Sequence, residues 1–467
     1  MSDHDYDLFV IGTGPAGQRA AVQAAKLGKR VAVAERRAVV GGICINTGTI
    51  PSKTLRAATM HFSGYHERSI YGASYAVKQD ITMADLLGRA DHVIRNGIDT
   101  ARHQIQRNGI ELIEGEAAFI DPHRISLTPA DGSPATEIST GNVVIAVGTT
   151  TTRDPNIAFD GKYIFTSDDI LDLDALPKSL TVVGAGVIGI EYATIFATLG
   201  VRVTVVDMRP QLLDFVDDEI IDTLVHHMRR ERVTLRLGEE VSGIERTDGK
   251  QGLGVHIALA SGKRITTERA LYSIGRTGAT GTLNLEAAGL AADDRGRLAV
   301  DENYRTEVEH IYAVGDVIGF PSLASTAMEQ GRLAACHAFG VEAQNMPGLF
   351  PYGIYTIPEI STVGRNEQEL TEAGVPYEVG RAAYKEIARG QIVGDQDGLL
   401  KLLFDIESRK LLGVHIIGDG ASELIHIGQA VLSLGGSIDY FIDTVFNYPT
   451  FAECYKTAAF DGINRLG

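Results

Sequence analysis

Two short glycine motifs, each leading from an apolar run into a helical one, constrain this chain more than any other feature. The first is Gly12-Thr13-Gly14-Pro15-Ala16-Gly17. It follows the apolar run Leu8-Phe9-Val10-Ile11 and opens an alanine-rich helical run through Ala25. A second apolar run, Val31-Ala32-Val33-Ala34, then closes on Glu35. Strand, Gly-x-Gly-x-x-Gly, helix, strand and terminal acid form a dinucleotide fingerprint in which each part has a mechanical task. Gly12 makes the tight turn, Gly14 lets the backbone approach a pyrophosphate, and Gly17 packs helix on strand. The helix N-terminus stabilises phosphate charge, and Glu35 is placed to hydrogen-bond a ribose.

The same device recurs further along. Leu180-Thr181-Val182-Val183 leads into Gly184-Ala185-Gly186-Val187-Ile188-Gly189, a helical run over 190–199, and a strand over 201–206 closed by Asp207. An acid at Asp207 favours NAD and repels a 2′-phosphate, whereas Arg209, two residues on, is placed to accept that phosphate. Both nucleotides are therefore expected to bind here. Two fingerprints imply two dinucleotides, and a pair that can exchange electrons points to an oxidoreductase.

Between and after them stand Val143-Val144-Ile145-Ala146-Val147-Gly148-Thr149, Leu271-Tyr272-Ser273-Ile274-Gly275-Arg276 and Ile311-Tyr312-Ala313-Val314-Gly315-Asp316. Each reads as a buried strand ending at a glycine turn. Such crossings suggest that the second nucleotide domain is inserted within the first. From about Pro347 the glycine fingerprints stop. Strand-like runs over 399–404 and 411–417 and a helical segment over 423–434 fit a separate α+β domain with an antiparallel sheet.

A length of 467 residues calls for several domains, and a formal charge of −17 argues against nucleic acid or an anionic membrane as partner. Cys44, Cys336 and Cys454 are too few and scattered for a disulfide scaffold or a metal site. No apolar run approaches the roughly 18 residues that span a bilayer. The opening Met1-Ser2-Asp3-His4-Asp5 is acidic, unlike a signal peptide, so a cytoplasmic location is expected.

One stretch narrows the chemistry. Gly41-Gly42-Ile43-Cys44-Ile45-Asn46-Thr47-Gly48-Thr49 precedes Pro51-Ser52-Lys53. Together with the two fingerprints it resembles the glutathione reductase and dihydrolipoamide dehydrogenase class of FAD proteins, over essentially the whole chain. That class carries a Cys-x-x-x-x-Cys redox pair here, but the second position is Thr49. It also carries a His-Pro-Thr-x-x-Glu motif near the C-terminus, where this chain has Tyr448-Pro449-Thr450-Phe451-Ala452-Glu453. A phenol is a poor proton shuttle at neutral pH. Two departures at separate points remove the same thiol chemistry. Within the class, Gly48-Thr49-Ile50-Pro51-Ser52-Lys53, Pro321-Ser322-Leu323-Ala324-Ser325, Tyr352 to Glu359 and Phe446 to Thr450 are similar to the soluble transhydrogenase branch.

The resemblance implies an α/β chain of two Rossmann-like dinucleotide-binding domains, for FAD and NAD(P), plus a C-terminal α+β dimerisation domain, in the glutathione reductase-like arrangement. The segments would be 1–150 and 276–346 for FAD, 151–275 for NAD(P), and 347–467 for the interface. It implies that Gly12, Gly14, Gly17, Glu35, Gly42, Cys44, Thr47, Gly148, Gly315, Asp316 and Ala324 hold FAD. Gly184, Gly186, Gly189, Asp207, Arg209, Gly275 and Arg276 would serve the nicotinamide nucleotide. Lys53 and Glu191 would pair where hydride arrives, and Tyr448 and Glu453 would complete the site from the interface domain of a homodimer or larger homo-oligomer. The implied activity is ping-pong hydride exchange between NADPH and NAD⁺ through one flavin. A diaphorase or quinone reductase is the alternative, and a non-catalytic nucleotide sensor is a third. Cys454 reads as a small buried hydrophobe.

Overall fold

A run as short and as uniformly apolar as 8–11 suits a strand covered on both faces. In the computed structural model, which describes residues 4–72, 74–249 and 252–466, it lies in the strand Tyr6–Ile11. The acidic opening residues 1–3 lie outside the described residues. Parallel neighbours follow in the order Glu111–Glu114, Val31–Glu35, Tyr6–Ile11, Thr136–Ile145 and Ile311–Ala313. Leu8 faces Val31, and Val10 faces both Val33 and Val144. The first half of Thr136–Ile145 also pairs antiparallel with Arg124–Thr128, which pairs with Glu116–Asp121. Helix Pro15–Lys26 buries Ala16, Ala20, Ala21 and Ala24. These small side chains allow close approach to helix Ala324–Ala338, where a Cβ on Gly331 would lie 2.1 Å from the Ala16 carbonyl oxygen.

The chain divides into two compact units. One comprises residues up to 54, 88–152 and 275–347; the other comprises 55–87, 153–274 and 348 onward. The strands Thr149–Thr151 and Arg276–Gly278 pair antiparallel where the chain leaves the first unit and returns to it. Residues 55–87 fall in the second unit. The reason is apolar burial: Leu55, Ala58, Met83 and Leu86 pack in one cluster with Leu180, Ile195 and Phe196.

The second unit holds a five-stranded parallel sheet in the order Thr234–Leu237, Arg202–Asp207, Ser179–Val183, Arg269–Tyr272, Ile164–Thr166. Its helix Val187–Thr198 is buried at every position from Gly189 to Thr198, as an all-round apolar helix must be. The same unit carries a five-stranded antiparallel sheet ordered Tyr352–Ile354, Ile360–Gly364, Leu411–Ile417, Leu399–Asp405, Tyr377–Ala383. Helix Ala421–Ser433 lies beside it. Among the described residues no helix is long and apolar enough to cross a membrane.

Candidate functional site

The first fingerprint folds as its spacing dictates. Gly12 adopts φ +106, and a Cβ there would meet the Ala146 carbonyl oxygen at 2.5 Å. A Cβ on Gly17 would lie 1.9 Å from the Gly12 oxygen, so only glycine lets the helix sit this close to its strand. A Cβ on Gly14 would meet nothing within 4 Å; this residue N-caps helix Pro15–Lys26 with no side-chain cap. The helix therefore presents unsatisfied N–H groups to an open space. Glu35, at the end of its strand, accepts hydrogen bonds from the Thr13 hydroxyl, the Thr13 N–H (3.2 Å) and the Arg37 N–H (3.1 Å).

The open space is a cleft of about 1150 Å³, part of it open to solvent. Gly12, Gly14, Glu35, Gly42, Cys44, Gly148, Gly315, Asp316 and Ala324 all line it. Gly42 closes against the fingerprint turn, since a Cβ on it would lie 2.9 Å from the Gly14 Cα. Gly315 donates its N–H to Gln330 Oε1 at 2.8 Å, which aims the following Asp316. Burial raises the Asp316 carboxyl above its ordinary pKa, with the Arg276 charge pulling the other way. Its carboxylate accepts no hydrogen bond from the described residues, a donor deficit that polyol hydroxyls would fill. Ala324 opens helix Ala324–Ala338, a second helix start without a side-chain cap. Donors, acid and unfilled acceptor thus fit FAD.

Other expected residues do not line this cleft. Gly17 acts in packing. Lys53 sits on helix Thr49–Ser63. Thr47 has its hydroxyl buried without a hydrogen-bond partner. Arg276 donates from Nε to Thr149 Oγ1 at 2.8 Å, and the neighbouring Gly275 carbonyl accepts from the Thr152 N–H at 3.1 Å. At the cleft, Cys44 and Thr49 line the same wall, and burial raises the Cys44 thiol above the ordinary pKa, with the Thr49 hydroxyl pulling the other way.

The second fingerprint repeats the first contact for contact. A Cβ on Gly184 would meet the Ser273 oxygen at 2.5 Å, one on Gly189 the Gly184 oxygen at 2.0 Å, and one on Gly186 nothing within 4 Å. Gly186 N-caps helix Val187–Thr198, again without a side-chain cap. Asp207 accepts from the Ala185 N–H (2.6 Å) and the Arg209 N–H (2.8 Å), as Glu35 does from Thr13 and Arg37. The difference is the Arg209 side chain, which folds back onto Asp207 from Nε (3.1 Å) and Nη2 (3.0 Å). Burial pushes the Asp207 carboxyl up, but the Arg209 and Ala185 bonds outweigh it and hold the pKa below the ordinary value. Glu191, buried on the same helix, accepts the Tyr355 N–H at 2.8 Å.

At the C-terminal motif, Tyr448 is 71% exposed. Glu453 begins helix Glu453–Ile463 with one carboxylate oxygen buried and, among the described residues, lacking a hydrogen-bond partner. Cys454 is fully buried in the apolar cluster beneath, and burial pushes its thiol up to about 12. All three cysteines are free thiols.

Residues 6–331 match the family model described as pyridine nucleotide-disulphide oxidoreductase, and 350–459 match that family's dimerisation domain. The chain belongs to this family. It is 53% identical over 462 residues to a soluble pyridine nucleotide transhydrogenase of Mycobacterium tuberculosis (strain ATCC 25177 / H37Ra), covering 99% of this chain and 98% of the relative. It is 46% identical over 469 residues to a protein of the same name from Azotobacter vinelandii, covering all of both. Among solved structures, LpdA from Mycobacterium tuberculosis superposes with TM-score 0.89 at 28% identity, covering 98% of this chain and 99% of that one. The HOCl-induced flavoprotein disulfide reductase RclA from Escherichia coli, as its Cu(II) complex, gives 0.87 at 27% identity, covering 97% and 98%.

Membership makes the chain a flavoprotein oxidoreductase acting on NAD(P)H, with the glutathione reductase-like fold read from its motifs. Within that frame several contributors escaped sequence reading. Thr13 ties Glu35 to the Gly41 N–H (3.0 Å) through its hydroxyl, yet it occupies a variable position of the fingerprint. Gln330 reaches Gly315 from a helix fifteen residues on, with no local signal. Thr149 was legible only as part of a strand-ending turn.

Proposed function

We propose that this pyridine nucleotide-disulphide oxidoreductase is a transhydrogenase that moves hydride between NADPH and NAD⁺ in ping-pong fashion, without a dithiol relay. The observation that carries this reading is the Cys44–Thr49 pair: both line the cleft, and a hydroxyl stands where a disulfide partner would be needed. The naming of relatives at 45–53% identity supports it. FAD, when bound, supplies the two-electron store between the two nucleotides. Gly14 and helix Pro15–Lys26 would take its pyrophosphate, Glu35 a ribose, and Asp316 the polyol chain, with Gly42, Cys44, Thr47, Gly148, Gly315 and Ala324 shaping the rest. Gly184, Gly186 and Gly189 would cradle either nicotinamide nucleotide. Lys53, Glu191, Gly275 and Arg276 would orient its reactive end, and Tyr448 and Glu453 would close the site within a homodimer.

Dual specificity follows from the Asp207–Arg209 pair. The guanidinium neutralises the acid where it stands, so a 2′-phosphate meets no bare carboxylate, and Arg209 can bridge the acid and that phosphate. Arg209→Ala should raise the KM for NADPH about tenfold or more while leaving that for NADH nearly unchanged. An unchanged NADPH value would remove Arg209 from the phosphate site.

The deciding experiment is an anaerobic assay of the FAD-loaded protein with NADPH and thio-NAD⁺ as the sole acceptor. Thio-NADH formation supports the proposal. Flavin bleaching without transfer, followed by rapid turnover on a quinone, would replace it with a quinone reductase.

A further inference from the structure

A second cleft, of about 1010 Å³ and widely open to solvent, lies in the second unit on residues that hydride transfer does not use. It forms where the turn 197–202 meets the segment 74–81 and the end of helix Asp218–Arg230. Arg68, Lys78, Arg202, Arg230 and Arg232 line it against one acid, Glu231. In a chain of net charge −17 this gathering runs against the global balance.

Part of that charge is already answered. Lys78 pairs with Asp85 at 2.6 Å, Arg230 with Asp397, and Arg68 donates its Nε to the Ser63 carbonyl at 2.9 Å. Two helix C-termini end at the cleft, each equivalent to about half a negative charge. Positive charge is still left over. It resides on Arg202 and Arg232, both exposed, whose guanidinium groups make no hydrogen bond or ion pair among the described residues.

The backbone at Arg232 supplies an independent observation. This residue follows helix Asp218–Arg230 with φ 64, the left-handed conformation that a side chain disfavours and glycine accepts. The chain uses glycine just past other helix ends, at Gly28 (φ 75), Gly109 (φ 68) and Gly200 (φ 84). At 232 it keeps a guanidinium despite that preference.

We propose that this cleft binds a small, multiply charged phosphate compound, with Arg202 and Arg232 as its principal donors. Guanidinium forks match phosphate oxygens in pairs, and both arginines line the one cleft. Its floor, the turn 197–202, joins the second fingerprint's helix to the strand Arg202–Asp207. The ligand therefore sits at the opposite end of that strand from Asp207 and does not compete with the nucleotide. This proposal stands apart from the transhydrogenation reading.

The test is isothermal titration of the FAD-loaded enzyme with inorganic pyrophosphate, with and without saturating NADP⁺, against sodium chloride at matched ionic strength. Saturable binding is expected in both states, beyond any chloride effect. The double variant Arg202→Gln/Arg232→Gln should weaken it by about tenfold or more. Arg232→Gly, which suits the backbone and so preserves the fold, should weaken it too. Absence of saturable binding, its loss on adding NADP⁺, or its persistence in both variants would overturn the proposal.

Discussion

In the proposed reading, the hydroxyl of Thr49 stands where dithiol chemistry would need a second thiol. Thr49 lines the cleft with Cys44, and burial raises that thiol above its ordinary pKa. Thr49 at this position was visible in the sequence; that it lines one cleft with Cys44 was not, because Thr49 opens a new helix after the short helix Gly42–Asn46. Thr49→Cys should let the pair close into a disulfide. Anaerobic reductive titration of that holoenzyme should then consume one two-electron step more than the wild type. An unchanged electron count would mean that position 49 is not what withholds the relay.

Glycines within one element serve different ends, and the built Cβ positions separate them. Gly184→Ala forces a φ of +103 on alanine and a contact of 2.5 Å with a carbonyl oxygen, so it should destabilise the second unit by about 1–3 kcal/mol in urea unfolding. Gly186→Ala meets nothing within 4 Å. It should leave the unfolding midpoint nearly unchanged and raise the nucleotide KM instead, the reverse pattern. The strand Leu399–Asp405 poses another case. It carries the fully buried Lys401, whose ammonium pairs with Asp217 (2.7 Å), Glu219 (3.1 Å) and Glu367 (2.5 Å). Lys401→Met leaves those carboxylates facing one another and should cost about 3–5 kcal/mol. Burial pushes Asp217 up, but His415, Lys401 and the Glu367 N–H hold its pKa below the ordinary aspartate value. A depressed pKa stabilises the fold above the unfolded value of about 3.9 and loses that contribution as pH falls through the folded value. Urea midpoints compared across pH should therefore show the wild-type advantage over Lys401→Met shrinking below about pH 4.

At the scale of the whole molecule, the segment matching the dimerisation domain carries exposed apolar side chains, among them Leu434 (87%) and Val445 (90%). Burial of such residues against a second copy predicts a sedimentation mass of at least twice the 50.1 kDa chain, falling in Val445→Asp. A monomeric wild type would contradict this. Most of the fold was legible in advance because a fingerprint is contiguous: strand, glycine turn, helix and acid are specified within about thirty residues. Gly12 to Glu35 and Gly184 to Asp207 therefore determined two nucleotide folds, and Thr49 and Tyr448 pointed away from thiol chemistry. Other features were decided only by the tertiary structure. The Ala146 and Ser273 carbonyls cover Gly12 and Gly184, Tyr355 donates to Glu191, residues 55–87 join the second unit, and Arg202 meets Arg232 in a basic cleft. Most of these contacts join residues far apart in the chain, and their partners are selected by packing and by the need to satisfy buried polar groups. Neither constraint leaves a periodicity or a motif in the sequence.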